Sequence, residues 1–91
     1  PGPNPRSVET SLLMMADSVE AASRSLADHS QASITALVNK IIDGQIADGL
    51  HNESPIAFRD IDIIKKTFVK RLMTIYHSRV AYPGGTAPAA Q

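Results

Sequence analysis

Met14-Met15-Ala16-Asp17-Ser18-Val19-Glu20-Ala21-Ala22-Ser23-Arg24 reads as one wall of an amphipathic helix. At about 100° per residue, Met15, Val19 and Ala22 share a stripe that Val8 and Leu12 extend backwards and Leu26 extends forwards. That stripe is a core face. Asp17 points almost directly away from it, yet Leu13, Met14 and Ala21 flank it and Arg24 lies two turns along on the same side. The helix is therefore expected to bury two faces, and one of them carries an acid.

On the N-terminal side, Pro1-Gly2-Pro3-Asn4-Pro5-Arg6 cannot begin a helix and reads as an extended entry loop. Ser7 is the expected N-cap, with Glu9 favourably placed near the positive end of the helix dipole. The first helix is predicted from Val8 to about Ala27. Asp28, His29 and Ser30 end it, and Ser30 or Ser33 can cap the next. In that second helix Ile34, Leu37, Val38, Ile41, Ile42 and Ile46 recur at spacings of three and four. Gly44 is awkward there, since a glycine inside a helix costs about 1 kcal/mol relative to alanine; close helix packing is the expected reason for it. Gly49 is a natural terminator. Leu50 to Ile56 then forms a loop, with Asn52, Ser54 and Pro55 as turn residues and Leu50 and Ile56 as apolar pins.

A third helix is predicted from Phe58 to about Arg79, where Ile61, Ile64, Phe68, Leu72 and Ile75 form a stripe widened by Val69 and Tyr76. Tyr82-Pro83-Gly84-Gly85 stops it, and residues 84–91 read as a flexible tail with nothing to bury. The expected architecture is all-α, a single unit over residues 1–83.

Composition narrows the function classes. With 91 residues there is room for one modest core. The absence of cysteine removes disulfides and thiolate metal sites. Nine basic residues balance nine acidic ones, which argues against a nucleic-acid polymer as partner. The distribution is uneven: the front is mildly acidic, whereas residues 59–79 carry Arg59, Lys65, Lys66, Lys70, Arg71 and Arg79 against Asp60 and Asp62. A solvated basic face accounts for this, with a phosphate-contacting surface as the sharper alternative. No run is apolar enough to span a bilayer, so the chain is expected to be soluble.

His29, His51 and His77 are scattered over a helix end, a loop and another helix, without the spacing of a self-contained metal site. No serine stands in a nucleophile elbow, and Asp60 and Asp62 are explained by their place at a helix start. Asp17, Glu20 and Arg24 remain. Glu20 and Arg24 are spaced for a surface ion pair. The sharper reading makes Asp17 a metal ligand, since carboxylate oxygen suits iron, manganese or magnesium, with Arg24 placed to meet a phosphate.

The run from Ala16-Asp17-Ser18-Val19-Glu20-Ala21 through Ser25-Leu26 resembles the C-terminal third of the HD-superfamily phosphohydrolase domain of bacterial seven-transmembrane receptors. Pro1-Gly2-Pro3 with Pro5, Leu37-Val38 with Ile41-Ile42, Gly49-Leu50 before Glu53-Ser54-Pro55, Phe58-Arg59-Asp60-Ile61 and Ile75-Tyr76-His77-Ser78-Arg79-Val80 before Tyr82-Pro83 match in the same order. The likeness implies a three-helix portion of a cytoplasmic, inner-membrane-associated domain that cleaves cyclic di-AMP with a pair of iron or manganese ions. Asp17 falls at the last metal ligand in chain order, and Glu20 and Arg24 are substrate-side or supporting groups by position. Two such metals would activate a bridging hydroxide and stabilise charge on the attacked phosphate.

The His-Asp dyad that defines the family is not in this sequence, where Asp28-His29 stands in reverse order. One carboxylate cannot hold two metals, so these residues alone are expected to be catalytically silent and to bind no metal. The rest of the HD domain is the implied partner, the cyclic dinucleotide the implied substrate of the intact protein, and Leu13, Met14 and Ala21 a face prone to self-association. A non-enzymatic three-helix interaction or dimerisation module is the alternative. Ala57, where relatives often carry threonine, suggests a weaker start to the third helix.

Overall fold

The computed structural model describes residues 4–81, with side-chain environments up to residue 77. Three helices follow one another: α1 (Val8–Ser23), α2 (Gln31–Ala47) and α3 (Phe58–Ala81). The all-α architecture is as expected, and α2 packs against both of its neighbours while the α1–α3 contact is slighter. Met15 and Val19 of α1, Ile34, Val38 and Ile42 of α2, and Leu72 of α3 are buried at the centre. Leu12, Leu26, Ile41, Ile46, Ile56, Ile61, Ile64, Phe68, Val69 and Tyr76 pack half-buried around them. Val8 and Ile75, assigned to core stripes by periodicity, are about two-fifths exposed; Val8 is the first residue of α1, whereas Ile75 lies within α3 beside Val19 and Leu72.

The helix starts follow their capping chemistry. Ser7 Oγ accepts from the Thr10 amide at 3.1 Å, and Ser30 Oγ accepts from the Ser33 amide at 3.2 Å, so Ser30 rather than Ser33 is the cap of α2. Asp28 supports that cap: its Oδ1 accepts from the Ser30 amide at 2.9 Å, and these bonds from the backbone and side chain of Ser30, and from Ser33, hold its carboxyl pKa at about 2. At α3 the residue before the first turn is Ala57, which offers no oxygen. Asp60 reaches back instead, its Oδ2 accepting from the Ala57 amide at 3.4 Å, which is one half of a capping box.

Two expectations need correction. The first helix stops at Ser23, four residues short of Ala27. There Ser23 Oγ donates to the Glu20 carbonyl at 2.7 Å, the Ser25 and Leu26 amides bond three residues back, and the His29 ring takes the Ser23 carbonyl at 2.9 Å. The carbonyls that a longer helix would satisfy are thus already occupied. The second correction is Gly44, which is exposed and would have nothing within 4 Å of an added Cβ. No close packing explains it. Gly44→Ala should therefore stabilise the fold by about 1 kcal/mol, read as a raised urea midpoint with an unchanged slope. Gly49, with φ at 77°, ends α2 as the sequence indicates, since only glycine takes that conformation without strain.

The predicted tail over residues 84–91, and the resemblance-bearing Pro1-Gly2-Pro3 and Tyr82-Pro83, lie outside the described residues. Among the described residues no helix is long and apolar enough to cross a membrane.

Candidate functional site: the outward face of the first helix

Burial of Met15 and Val19 against α2 and α3 forces the opposite side of α1 outward. Asp17 stands there exposed, and so do Glu20 and Ala21. Leu13 is 61% exposed, while Met14 is half-buried. The second face of α1 anticipated from the sequence is thus half-apolar as expected, but within this chain it is open rather than buried. Arg24 lies 3.8 Å from Glu20, and both side chains remain more than half exposed. An exposed pair at that separation contributes at most a few tenths of a kcal/mol, so it does not fix either group.

The three sequence-nominated residues share this face, but Asp17 makes no ion pair or side-chain hydrogen bond among the described residues. A free, hard carboxylate of this kind fits the role of one metal ligand. A full set is another matter: among the described residues no three His, Asp or Glu side chains come together. The histidines point elsewhere. His29 stacks on the Tyr76 ring with centroids 3.7 Å apart, and His77 Nε2 donates to the His29 carbonyl at 2.6 Å. The donor set of the described residues therefore fits one position of a metal centre and not a centre by itself.

The basic face of α3 is paired in part, at Lys65 and Lys66, while Arg59, Lys70 and Arg71 make no ion pair among the described residues. Lys65 Nζ sits 2.6 Å from Asp43 of α2, and Lys66 Nζ sits 3.0 Å from Asp62 one turn away. Exposed Arg59, Lys70 and Arg71 beside these two pairs describe a solvated basic face.

Sequence reasoning missed the buried polar groups behind α1. Ser11, Ser23 and His51 are all buried, although the wheel leaves the serines at the edge of the apolar stripe and His51 had no partner at ligand spacing. His51 Nδ1 lies 2.8 Å from Ser11 Oγ, its Nε2 lies 2.7 Å from Gln45 Oε1, and Gln45 Nε2 donates to Ser18 Oγ at 2.9 Å. The donor directions are determined by the far end. Gln45 spends its amide protons on Ser18 and turns its carbonyl oxygen to the ring, so His51 carries its proton on Nε2 and accepts the Ser11 hydroxyl proton on Nδ1. A second chain ties α1 to α3, where Ser23 Oγ and Tyr76 OH lie 2.8 Å apart. No local signal marks these residues, because Ser11 and His51 are forty positions apart and Ser18 and Gln45 twenty-seven.

Burial holds the His51 pKa below the usual histidine value of about 6.5. Its effect on stability has a definite sign. As pH falls through about 6.5 the unfolded chain takes up a proton that the folded chain resists, so stability declines until the folded pKa is passed. Asp28 acts in a separate window: its depressed pKa favours the fold above the ordinary carboxylate range, and that contribution disappears as pH falls toward about 2. Urea midpoints should therefore fall between about pH 7 and pH 5, and His51→Asn should flatten that step while leaving the acid step in place.

Comparison with known proteins gives the class first. The fold is that of an HD domain: 89% of this chain superposes on 38% of the solved HD domain of a Listeria monocytogenes phosphodiesterase in complex with cyclic di-AMP, at a TM-score of 0.82 and 38% identity. The same domain, in a structure described without that ligand, superposes at 0.78 over 84% of this chain and 36% of its own. In sequence the chain is 42% identical over 86 residues to the cyclic-di-AMP phosphodiesterase PgpH of Bacillus subtilis, and 39% identical over 82 residues to that of Listeria monocytogenes. Those matches take in 94% and 90% of this chain but only 12% and 11% of the relatives, so the chain spans about a tenth of their length. No protein-family model matches it. The chain is an HD-domain sequence, similar to PgpH proteins and corresponding to the C-terminal part of their HD domain.

Proposed function

We propose that these residues form the closing part of a metal-dependent cyclic di-AMP phosphodiesterase site, with Asp17 as one metal ligand and Glu20 and Arg24 beside the dinucleotide. The observation that carries this reading is the open Asp17 carboxylate on a half-apolar, uncovered helix face. The domain that shares this fold and 38% of these residues is solved with cyclic di-AMP bound. Iron or manganese is the metal pair that the family resemblance implies, and an exposed carboxylate oxygen suits either. The remaining ligands come from the rest of the HD domain, whose surface covers Leu13, Asp17 and Ala21. The 91 residues by themselves are inactive on this reading, and the intact domain works on the cytoplasmic face of the bacterial inner membrane.

The alternative, a non-enzymatic interaction or dimerisation module, draws its support from the same exposed Leu13, which would then meet a second copy. One experiment separates the two. The intact HD domain and the 91-residue chain are each incubated with cyclic di-AMP and manganese, and the linear dinucleotide is followed by chromatography. Turnover by the domain and none by the chain is the expected result. Turnover by neither, with the chain sedimenting as a dimer, would favour the module.

A further inference from the structure

The polar chain behind α1 has a geometry that burial alone does not require. Ser11 and Ser18 are seven residues apart, which at 3.6 residues per turn places them within about 20° of one another on the same side of the helix. Both are gripped by groups outside α1: Ser11 by His51 of the α2–α3 loop, and Ser18 by Gln45 of α2. His51 and Gln45 in turn hold each other at 2.7 Å. The result is a two-point clamp along one line of the helix surface, and Asp17 is the residue next to its second point.

We propose that Gln45 and His51 are positioning residues that fix the rotation of α1 about its own axis, and thereby the direction in which Asp17 projects. The proposal rests on Asp17 being a metal ligand. The apolar contacts of Met15 and Val19 are non-directional and tolerate rolling, and α1 meets α3 only slightly. Hydrogen bonds weaken steeply when misaligned, so two of them on one line define an angle that packing does not. The lever is appreciable: rolling a helix by about 20° moves a carboxylate carried about 6 Å from its axis by about 2 Å. A displacement of about 1 Å is enough to cost about 100-fold where geometry matters.

The test measures manganese affinity by calorimetry in the intact HD domain, well below each variant's thermal midpoint, alongside that midpoint. Asp17→Ala, Ser18→Ala, Gln45→Leu, Ser18→Thr and the core control Ile64→Val are compared. Ser18→Ala and Gln45→Leu should weaken manganese binding by about 10-fold to 100-fold, as loss of outer support for a metal ligand does. Ser18→Thr, which keeps the hydroxyl, should restore it, and Ile64→Val should lower the midpoint without touching affinity. Should Gln45→Leu fail to fold, Ser18→Ala against Ser18→Thr carries the comparison. If Asp17→Ala weakens binding while the clamp variants only lower the midpoint, the positioning role is overturned and the ligand reading stands. If Asp17→Ala leaves binding unchanged, the ligand reading fails, and the positioning role with it.

Discussion

Replacing Asp17 with alanine in the intact domain should weaken manganese binding by more than about 100-fold and reduce cyclic di-AMP turnover at least as far. The bound follows from what is lost. Removing a group that merely supports a ligand costs about 10-fold to 100-fold in affinity or activity, and Asp17 is assigned to touch the metal itself. The fold should hardly notice. Asp17 is exposed and unpaired among the described residues, and surface substitutions of that kind stay within about 0.5 kcal/mol. Affinity from calorimetry and stability from urea titration thus separate a ligand from a structural residue. Asp17→Asn should fall on the same side as alanine, because it keeps the shape and loses the charge. A variant that retained full turnover would leave the outward face of α1 without a catalytic role.

The largest effect on stability is expected at Ile42, which is fully buried where α2 meets both of its neighbours. Ile42→Ala should cost about 2–5 kcal/mol, combining the lost transfer energy with the cavity left behind. Domains of this length hold only about 5–14 kcal/mol in total, so the change removes a large share. The thermal midpoint should drop by about 10–30 °C. Breaking the Lys65–Asp43 contact with Asp43→Ala should cost less than about 1 kcal/mol, even though that is the shortest cross-helix ion pair in the structure at 2.6 Å. If the two variants proved equal, the core would be carrying less of the fold than its burial indicates.

Much of this architecture is legible in the sequence because it is written locally. The three stripes repeat at helical spacing, Ser7 and Ser30 announce helix starts, and Gly49 announces an end. Each depends on residues within a turn or two of one another. The end of α1 is less legible because its terminator is partly tertiary: Ser23 Oγ, which donates to the Glu20 carbonyl, also meets Tyr76, and His29, stacked on Tyr76, takes the Ser23 carbonyl. Gly44 misleads for the opposite reason, since a mid-helix glycine suggests a neighbour and none is there. For the site, Asp17 could be singled out from the wheel because a carboxylate beside Leu13 and Met14 is unexpected. His51, Gln45, Ser11 and Ser18 could not, because nothing in a run of sequence says that a loop histidine will meet a serine forty residues earlier.

The stacking of His29 on Tyr76 also makes the molecule easy to watch. The chain has no tryptophan and two tyrosines, Tyr76 and Tyr82, so a Tyr82→Phe variant leaves Tyr76 as its single tyrosine emitter. Its ring lies 3.7 Å from an imidazole, and its hydroxyl bonds to the residue at which α1 stops. Separation of the α1–α2 turn from α3 would expose that ring to water and break both contacts together. In that variant tyrosine fluorescence offers a label-free optical reporter for opening at this one corner.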